Sequence, residues 1–378
     1  MTHKILCVVG ARPNFMKIGP ILKALSASAV LTPRLVHTGQ HYDAKLSKIF
    51  FDDLAIPRPD IELEVGSGSH AAQTAEIMRR FEPVLQAEQP HGVLVVGDVN
   101  STIACALVTA KFRLERPFAT AAGPRQRPLM IHVEAGLRSF DDDMPEEINR
   151  KLTDAISDVL FVSDPAGMTN LEKEGVPKER CFFVGNVMID TLLAAKERAM
   201  QSPILGSLGL GGRRYGLVTL HRPSNVDDVS ELAGLLGTLD EIARSLPLVF
   251  PVHPRTRAQL AAGGVALDPA RWVVTEPIGY LDFMKLMASA AVVMTDSGGI
   301  QEETTVLGVP CLTLRENTER PVTLTEGTNR LVGTRREAIL AAYEAATKGG
   351  GAPRVPRFWD GRSAERIEAA LARILQPA

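Results

Sequence analysis

The chain has 378 residues, 45% hydrophobic and 23% charged, the balance of an ordinary globular protein and not of a disordered or fibrous one. At roughly 100–200 residues per domain, that length predicts two domains. The 42 basic and 44 acidic side chains nearly cancel, which leaves no overall field for nucleic acid or an anionic membrane, so any anion must be bound locally.

The first apolar run, Ile5–Val9, is far too short for a signal sequence or a membrane span. Cys7, Cys105, Cys181 and Cys311 are scattered without C-x-x-C spacing, so neither a disulfide framework nor a zinc site is expected, and a reducing cytoplasm fits. Further short apolar runs follow at Arg34–Thr38, Val93–Val96, Ile131–Val133, Val159–Val162 and Cys181–Val184. They alternate with helix-like stretches, which predicts a parallel sheet covered on both faces. A second set runs through Tyr215–Leu220, Leu248–Val252, Trp272–Thr275, Ala291–Thr295 and Cys311–Leu314. The expected fold is α/β with two Rossmann-like domains, residues 1–185 and 186–360. Ser363–Leu375 places Ile367, Leu371, Ile374 and Leu375 on one helical face that must pack on something. The first domain is a candidate partner for residues 361–378, if the chain crosses back. Ala119–Pro128 is small and polar and reads as a surface loop.

Gly10-Ala11-Arg12-Pro13 follows the first strand, with Lys17 about a turn later. Glycine suits a tight turn, proline a first helical turn, and two cations at a helix N-terminus suit phosphate; a solvated surface role is the plain alternative. Neither G-x-G-x-x-G nor a P-loop occurs at a strand-to-helix junction, so bound NAD and P-loop chemistry lose support.

Gly97-Asp98 ends a strand, with Asn100 and Ser101 available as caps, where open α/β sheets bind ligands. Asp98 reads either as a catalytic carboxylate or as a turn residue. By the period of two, His132 and Glu134 share a face of one strand, with Arg138 near enough in sequence to be their partner. Met144-Pro145-Glu146-Glu147 looks like a helix start, with Glu146 and Arg150 four apart on one face. Helix-dipole compensation would explain the acids there, but Asp98, Glu134 and Glu146 together suggest proton transfer. In the second half, His221-Arg222-Pro223 and His253-Pro254-Arg255 follow strands and suit phosphate. Thr295-Asp296-Ser297-Gly298-Gly299 leads into a helix whose N–H groups form a diphosphate cradle, unless Ser297 is a plain cap. Glu303, a turn further on, suits ribose hydroxyls.

These blocks, GARPNFMK (10–17), GD (97–98), HVEAGLRS (132–139), PEEINR (145–150), GNVMIDTL (185–192), HRPSNVDD (221–228), TDSGGIQEE (295–303), and NTERP with GTNRLVGT (317–334), are together far more specific than any one. The sequence resembles the non-hydrolysing UDP-N-acetylglucosamine 2-epimerases over nearly its whole length. The resemblance implies the glycosyltransferase B type fold, with the substrate in the cleft between two domains, and a homodimer. It implies that Arg12, Lys17, His221, Ser297, Gly298, Gly299, Glu303 and Arg320 hold UDP or its phosphates, and that Phe283 lies near the uracil. It implies Asp98, Glu134 and Glu146 as catalytic acids, with Arg150 and His221 beside them. The implied reaction needs no NAD and no metal: UDP leaves C1 as the C2 proton is removed, and re-addition with protonation from the opposite face inverts C2.

Three features depart from the family pattern. Gln40-His41-Tyr42-Asp43 and Gly66–His70 stand where substrate-activated members carry a Gln-rich helix and an arginine, which argues against activation by UDP-N-acetylglucosamine. Ile278 replaces a glutamine before the aromatic, and HRPS replaces HRRE. The readings that compete are an epimerase of another UDP-2-acetamido sugar, such as a 2,3-diacetamido uronic acid, a hydrolysing 2-epimerase, a glycosyltransferase of the same fold, and a UDP-sugar sensor without turnover.

Overall fold

The computed structural model describes residues 2–40, 56–348 and 354–376, apart from the side chain of Arg12. His41, Tyr42 and Asp43, which bear on activation by substrate, lie outside the described residues. The chain divides into two units, Met1–Thr191 with Arg357–Ala378, and Leu192–Pro356. The dividing line falls inside the helix Val187–Met200.

The first unit is built on a sheet of seven parallel strands in the order β3-β2-β1-β4-β7-β8-β9. These are β1 (His3–Val9), β2 (Leu31–His37), β3 (Ile61–Glu62), β4 (Gly92–Val96), β7 (Leu129–Ala135), β8 (Val159–Val162) and β9 (Cys181–Phe183). The central strands are apolar throughout because helices cover both faces. Ile5, Cys7 and Val9 of β1 point into a core with Phe15, Ile18 and Ile21 of the helix Arg12–Ser26. Leu6 and Val8 point the other way, into a core with Ile77, Phe81 and Leu85 of the helix His70–Glu88 and Ala104 and Cys105 of the helix Asn100–Lys111.

The closing helix is Ser363–Leu375. Ile367, Leu371 and Leu375 enter the first of these cores, beside the helix Arg12–Ser26. Asp190 accepts the Ser363 and Ala364 N–H groups at 3.1 and 2.7 Å, serving as its N-terminal anchor. Gly185, at φ 89°, permits the approach of the segment before it, since a Cβ there would lie 2.0 Å from the Phe358 carbonyl oxygen.

The expected loop at Ala119–Pro128 is in part a small antiparallel hairpin, β5 (Phe118–Thr120) with β6 (Gly123–Arg125). It is tied to the closing helix by Ala121 N–H donating to the Ile374 carbonyl at 2.9 Å.

The second unit carries six parallel strands in the order β12-β11-β10-β13-β14-β15. They are β10 (Gly216–Thr219), β11 (Leu248–Pro251), β12 (Trp272–Thr275), β13 (Val292–Thr295), β14 (Cys311–Thr313) and β15 (Asn329–Leu331). One face is covered by Leu232, Leu235, Leu236 and Leu239 of the helix Val229–Ala243, the other by Leu286, Met287 and Ile300. Both units are therefore doubly wound, and in each the strand order reverses once, between β1 and β4 and between β10 and β13. Ligands of open α/β sheets bind beyond the strand C-termini at such points. No helix among the described residues is long and apolar enough to cross a membrane.

Candidate active site

In the first unit the turn after β1 is fixed by Asn14. Its Oδ1 accepts the Gly10 and Ala11 N–H groups at 3.1 and 3.0 Å, and its Nδ2 donates to the Val96 carbonyl at 3.0 Å. One amide thus joins the ends of β1 and β4. Gly97, at φ 70°, has the Lys17 ammonium 3.0 Å and Glu134 Oε2 3.6 Å from where its side chain would start. Lys17 and Glu134 are both buried, and Lys17 Nζ donates to Glu134 Oε2 at 2.5 Å. In this structure Lys17 therefore faces a carboxylate and not a solvated surface. Arg12 opens the same helix. Asn100 and Ser101 do not cap with their side chains: Val99 is the N-cap, Asn100 donates to Gln73 and Ser101 to Gln40.

Glu134 departs from the expected alternation. The β7–β8 register shifts between Val133 and Ala135, and Glu134 adopts φ 70°. That left-handed conformation is uncommon and costly for a side-chain-bearing residue. The bulge turns Glu134 to Lys17 of one covering helix, whereas His132 reaches Asp154 of the helix Pro145–Ile156, at 2.7 Å from its Nδ1, and the Gly97 carbonyl, at 2.8 Å from its Nε2. Arg138 is the partner of neither: it binds Asp154 at 2.8 Å and Glu174 at 2.6 Å. Burial pushes the Asp154 carboxyl up, but His132 and Arg138 outweigh it and hold it below its ordinary value.

The helix Pro145–Ile156 supplies Arg150, which pairs with Asp98 and with Glu147 but not with Glu146. Asp98 is 29% exposed, and Asn149 Nδ2 donates to its backbone carbonyl at 2.9 Å; it is not a helix cap, since Val99 holds that position without a side-chain cap. Glu147 is fully buried and accepts from Ser139 N–H at 2.9 Å, Phe140 N–H at 3.1 Å and Arg150 Nη2 at 2.7 Å. It anchors Arg150 and the loop after β7. Glu146 is half-buried, and no hydrogen bond joins it to Asp98 or Glu134. The structure thus gathers Asp98, Glu134, Lys17 and Arg150 around the Gly97 turn.

In the second unit His221 follows β10 and Asp296 follows β13, the two sides of the reversal point. Asp296 is wholly buried and lies 2.9 Å from His221 Nδ1. It also accepts the His221 and Arg222 N–H groups at 2.9 Å each. Burial raises the Asp296 carboxyl, but the His221 hydrogen bond and charge prevail and lower it overall. The Asp–His pairing leaves Nε2 of a 45% exposed imidazole as its outward face.

Ser297 does not cap the helix Gly298–Leu307 with its side chain; its N–H donates to Thr295 Oγ1 at 3.0 Å. The first N–H groups of the helix, at Gly298 and Gly299, therefore have no side-chain acceptor from Ser297. The Glu319 carboxylate stands beside that turn, 2.7 Å from where a Gly298 side chain would start. Arg315 binds Glu319 at 3.0 Å, Arg222 lies 3.6 Å from it, and Arg320 binds Glu302 at 2.5 Å. Burial raises Glu319, but Arg320, Arg315 and Arg222 hold it down at about 2. Glu303 is buried, accepts from the Tyr280 hydroxyl at 2.9 Å, and is pushed up by burial to about 7. Phe283, on the helix Tyr280–Ser289, packs against the same core as Ile300. His253 and Arg255 sit one strand away, after β11, where Arg255 pairs with Asp227 at 2.5 Å and His253 caps a helix.

The residues whose importance the sequence reading missed are Asp154, Glu147, Asp296 and Glu319. Each acts through a partner distant in sequence or in the adjoining turn. Only Glu147, three residues before Arg150 on the same helix, carried a local signal.

The fold and the relatives it shares make the protein an α/β isomerase of the glycosyltransferase B type. The family model for UDP-N-acetylglucosamine 2-epimerase matches residues 23–372, and the chain belongs to that family. It is 38% identical over 97% of its length to the UDP-N-acetylglucosamine 2-epimerase of Methanocaldococcus jannaschii, covering 98% of that protein. It is 42% identical over 89% of its length to the UDP-2,3-diacetamido-2,3-dideoxy-D-glucuronate 2-epimerase of Pseudomonas aeruginosa, covering 90% of it. Its structure superimposes on the M. jannaschii UDP-GlcNAc 2-epimerase in complex with UDP-GlcNAc and UDP with a TM-score of 0.87 at 38% identity, covering 98% of this chain and 99% of the other.

Proposed function

We propose that the protein interconverts UDP-N-acetylglucosamine and UDP-N-acetylmannosamine by eliminating UDP and adding it back. The observation that carries this reading is the pairing of two carboxylates with two cations, Asp98 with Arg150 and Glu134 with Lys17, about the turn at the reversal point of the first sheet. Two separately held carboxylates suit a reaction that removes a proton from one face of C2 and returns one to the other.

The C2 proton is not α to a carbonyl, so a carboxylate cannot take it from an unaltered sugar at neutral pH. As the C1–O bond breaks, its electrons leave on the β-phosphate of UDP, and positive character at C1 acidifies C2–H. The C2–H electrons become the C1=C2 bond of 2-acetamidoglucal, and the proton passes to one carboxyl. The second carboxyl, which enters the reaction protonated, gives its proton to C2 on the opposite face while UDP re-adds at C1, so that one turnover exchanges the protonation states of the two residues. Asp98 and Glu134 are the proton carriers, and Glu146 is the third acid of the set. The departing diphosphate is stabilised by the Ser297–Gly299 turn, His221 and Arg320, donors of one unit that are already held in place. Phe283 lies against the base and Glu303 accepts from the ribose.

The 42% identity to the P. aeruginosa enzyme favours one second reading, the same inversion on a UDP-2,3-diacetamido uronic acid. Proton NMR in D2O with each UDP-sugar in turn, with no NAD or metal added, separates the two. Deuterium at C2 with UDP still attached, from UDP-N-acetylglucosamine, is the expected result. Free N-acetylmannosamine would mean hydrolysis, and exchange only with the uronic acid would move the assignment to that substrate. Asp98→Asn and Glu134→Gln each lower turnover by about 10²–10⁴-fold, with UDP binding retained.

A further inference from the structure

His132 has no part in the reaction above, yet it is wholly buried on β7 with an acceptor at each ring nitrogen. On one side, 2.8 Å from Nε2, is the Gly97 carbonyl oxygen, which can only accept. On the other, 2.7 Å from Nδ1, is Asp154 Oδ1. Asp154 Oδ2 already takes the Gly136 N–H at 3.0 Å and Arg138 Nη2 at 2.8 Å, the surroundings of an ionised carboxylate. A neutral imidazole has one N–H and one lone pair, so in either tautomer a lone pair would face an oxygen.

We infer that His132 is a buried imidazolium that positions Asp98 by gripping the Gly97 carbonyl. The charges facing the ring come from three elements: Asp154 from the helix Pro145–Ile156, Arg138 from the loop after β7, and Glu174, which binds Arg138. His132 and Arg138 balance Asp154 and Glu174, so the network sums to zero, with His132, Arg138 and Asp154 buried and Glu174 closing it at the surface.

The network touches the backbone at two places that matter. Through His132 it holds Gly97, the residue before Asp98; through Asp154 it holds Gly136 N–H, two residues after Glu134. One buried ion cluster therefore fixes both ends of the span between the two carboxylates that the proposed function uses as proton carriers, on which this inference rests. His132 touches neither substrate nor reacting atoms; it acts through the turn.

The test has two parts. Nitrogen-15 NMR of the intact protein with labelled histidine should show both His132 ring nitrogens protonated. A bare ring nitrogen, or a proton resident on Asp154, overturns the inference. In His132→Asn, the rate of C2 deuterium exchange in D2O should fall by about 10²-fold, the scale of a misplaced catalytic group, with KM and the affinity for UDP unchanged. Exchange at the wild-type rate overturns the positioning role. Should the variant not fold, the wild-type nitrogen spectrum still decides. A wild-type protein with the doubly protonated ring but no C2 exchange would overturn the proposed reaction and leave the ion network standing.

Discussion

Glu303 and Glu319 are buried carboxyls of one unit, and their surroundings drive them in opposite directions. Glu303, set among apolar groups beside Tyr280 and Glu302, rises from an ordinary 4.5 to about 7. Unfolded, it ionises as pH rises through 4.5; folded, it stays protonated until about 7. Across that window the folded state loses stability, on the order of 3 kcal/mol in all. Glu319 falls to about 2 under its arginines, so its contribution is present above 4.5 and is lost as pH falls toward 2, with a similar magnitude. Glu303→Gln keeps an acceptor for Tyr280 and cannot ionise. In urea unfolding it should gain stability over wild type at pH 8 and little at pH 5. Glu319→Gln should instead lose about 3–5 kcal/mol near neutral pH, since it strands buried guanidiniums, and lose less at pH 3. Equal shifts at both pH values for either variant would contradict these assignments.

Elements were legible where one physical rule governed them. Strands such as Val93–Val96 and Val159–Val162 are recognisable because a parallel strand buried on both faces is apolar at every position. The helix Ser363–Leu375 was readable from Ile367, Leu371 and Leu375 at helical spacing. The hairpin Phe118–Thr120 with Gly123–Arg125 was not, because its Ala, Gly and Pro residues carry the composition of a loop and its support comes from Ile374 far along the chain. The bulge at Glu134 was equally hidden: a period of two assigns Glu134 to the face of His132, and nothing local reports the extra residue that re-aims it. Glu146 and Glu147 both lie within helical reach of Arg150, and sequence spacing alone does not show that Glu147 is the one that binds it. Asp190 belongs to a motif that sequence alone leaves without a task, and its partners are two N–H groups in the last helix. Asp190→Ala should cost about 1–2 kcal/mol and should accelerate amide exchange over residues 363–375 before the rest of the unit. Uniform exchange changes would show that the anchor is not local.

At the scale of the whole molecule, both sheets were expected as parallel and doubly wound, and both are. The carboxylates and the glycine turn already fall in different halves of the sequence; what it could not show is that Asp98 and Glu134, with their cations, stand at the reversal point of one sheet and the glycine turn, beside its arginines, at that of the other. The first unit also draws on two stretches of chain, Met1–Thr191 and Arg357–Ala378, with the whole second unit between them. During synthesis, Leu192–Pro356 leaves the ribosome before the residues that complete the first core. Ile367, Leu371 and Leu375 together bring roughly 5–9 kcal/mol of apolar burial, comparable with the entire stability of a typical domain. The nascent first unit therefore emerges with its core incomplete, and the apolar residues that close it arrive only after the whole of a second unit has been made.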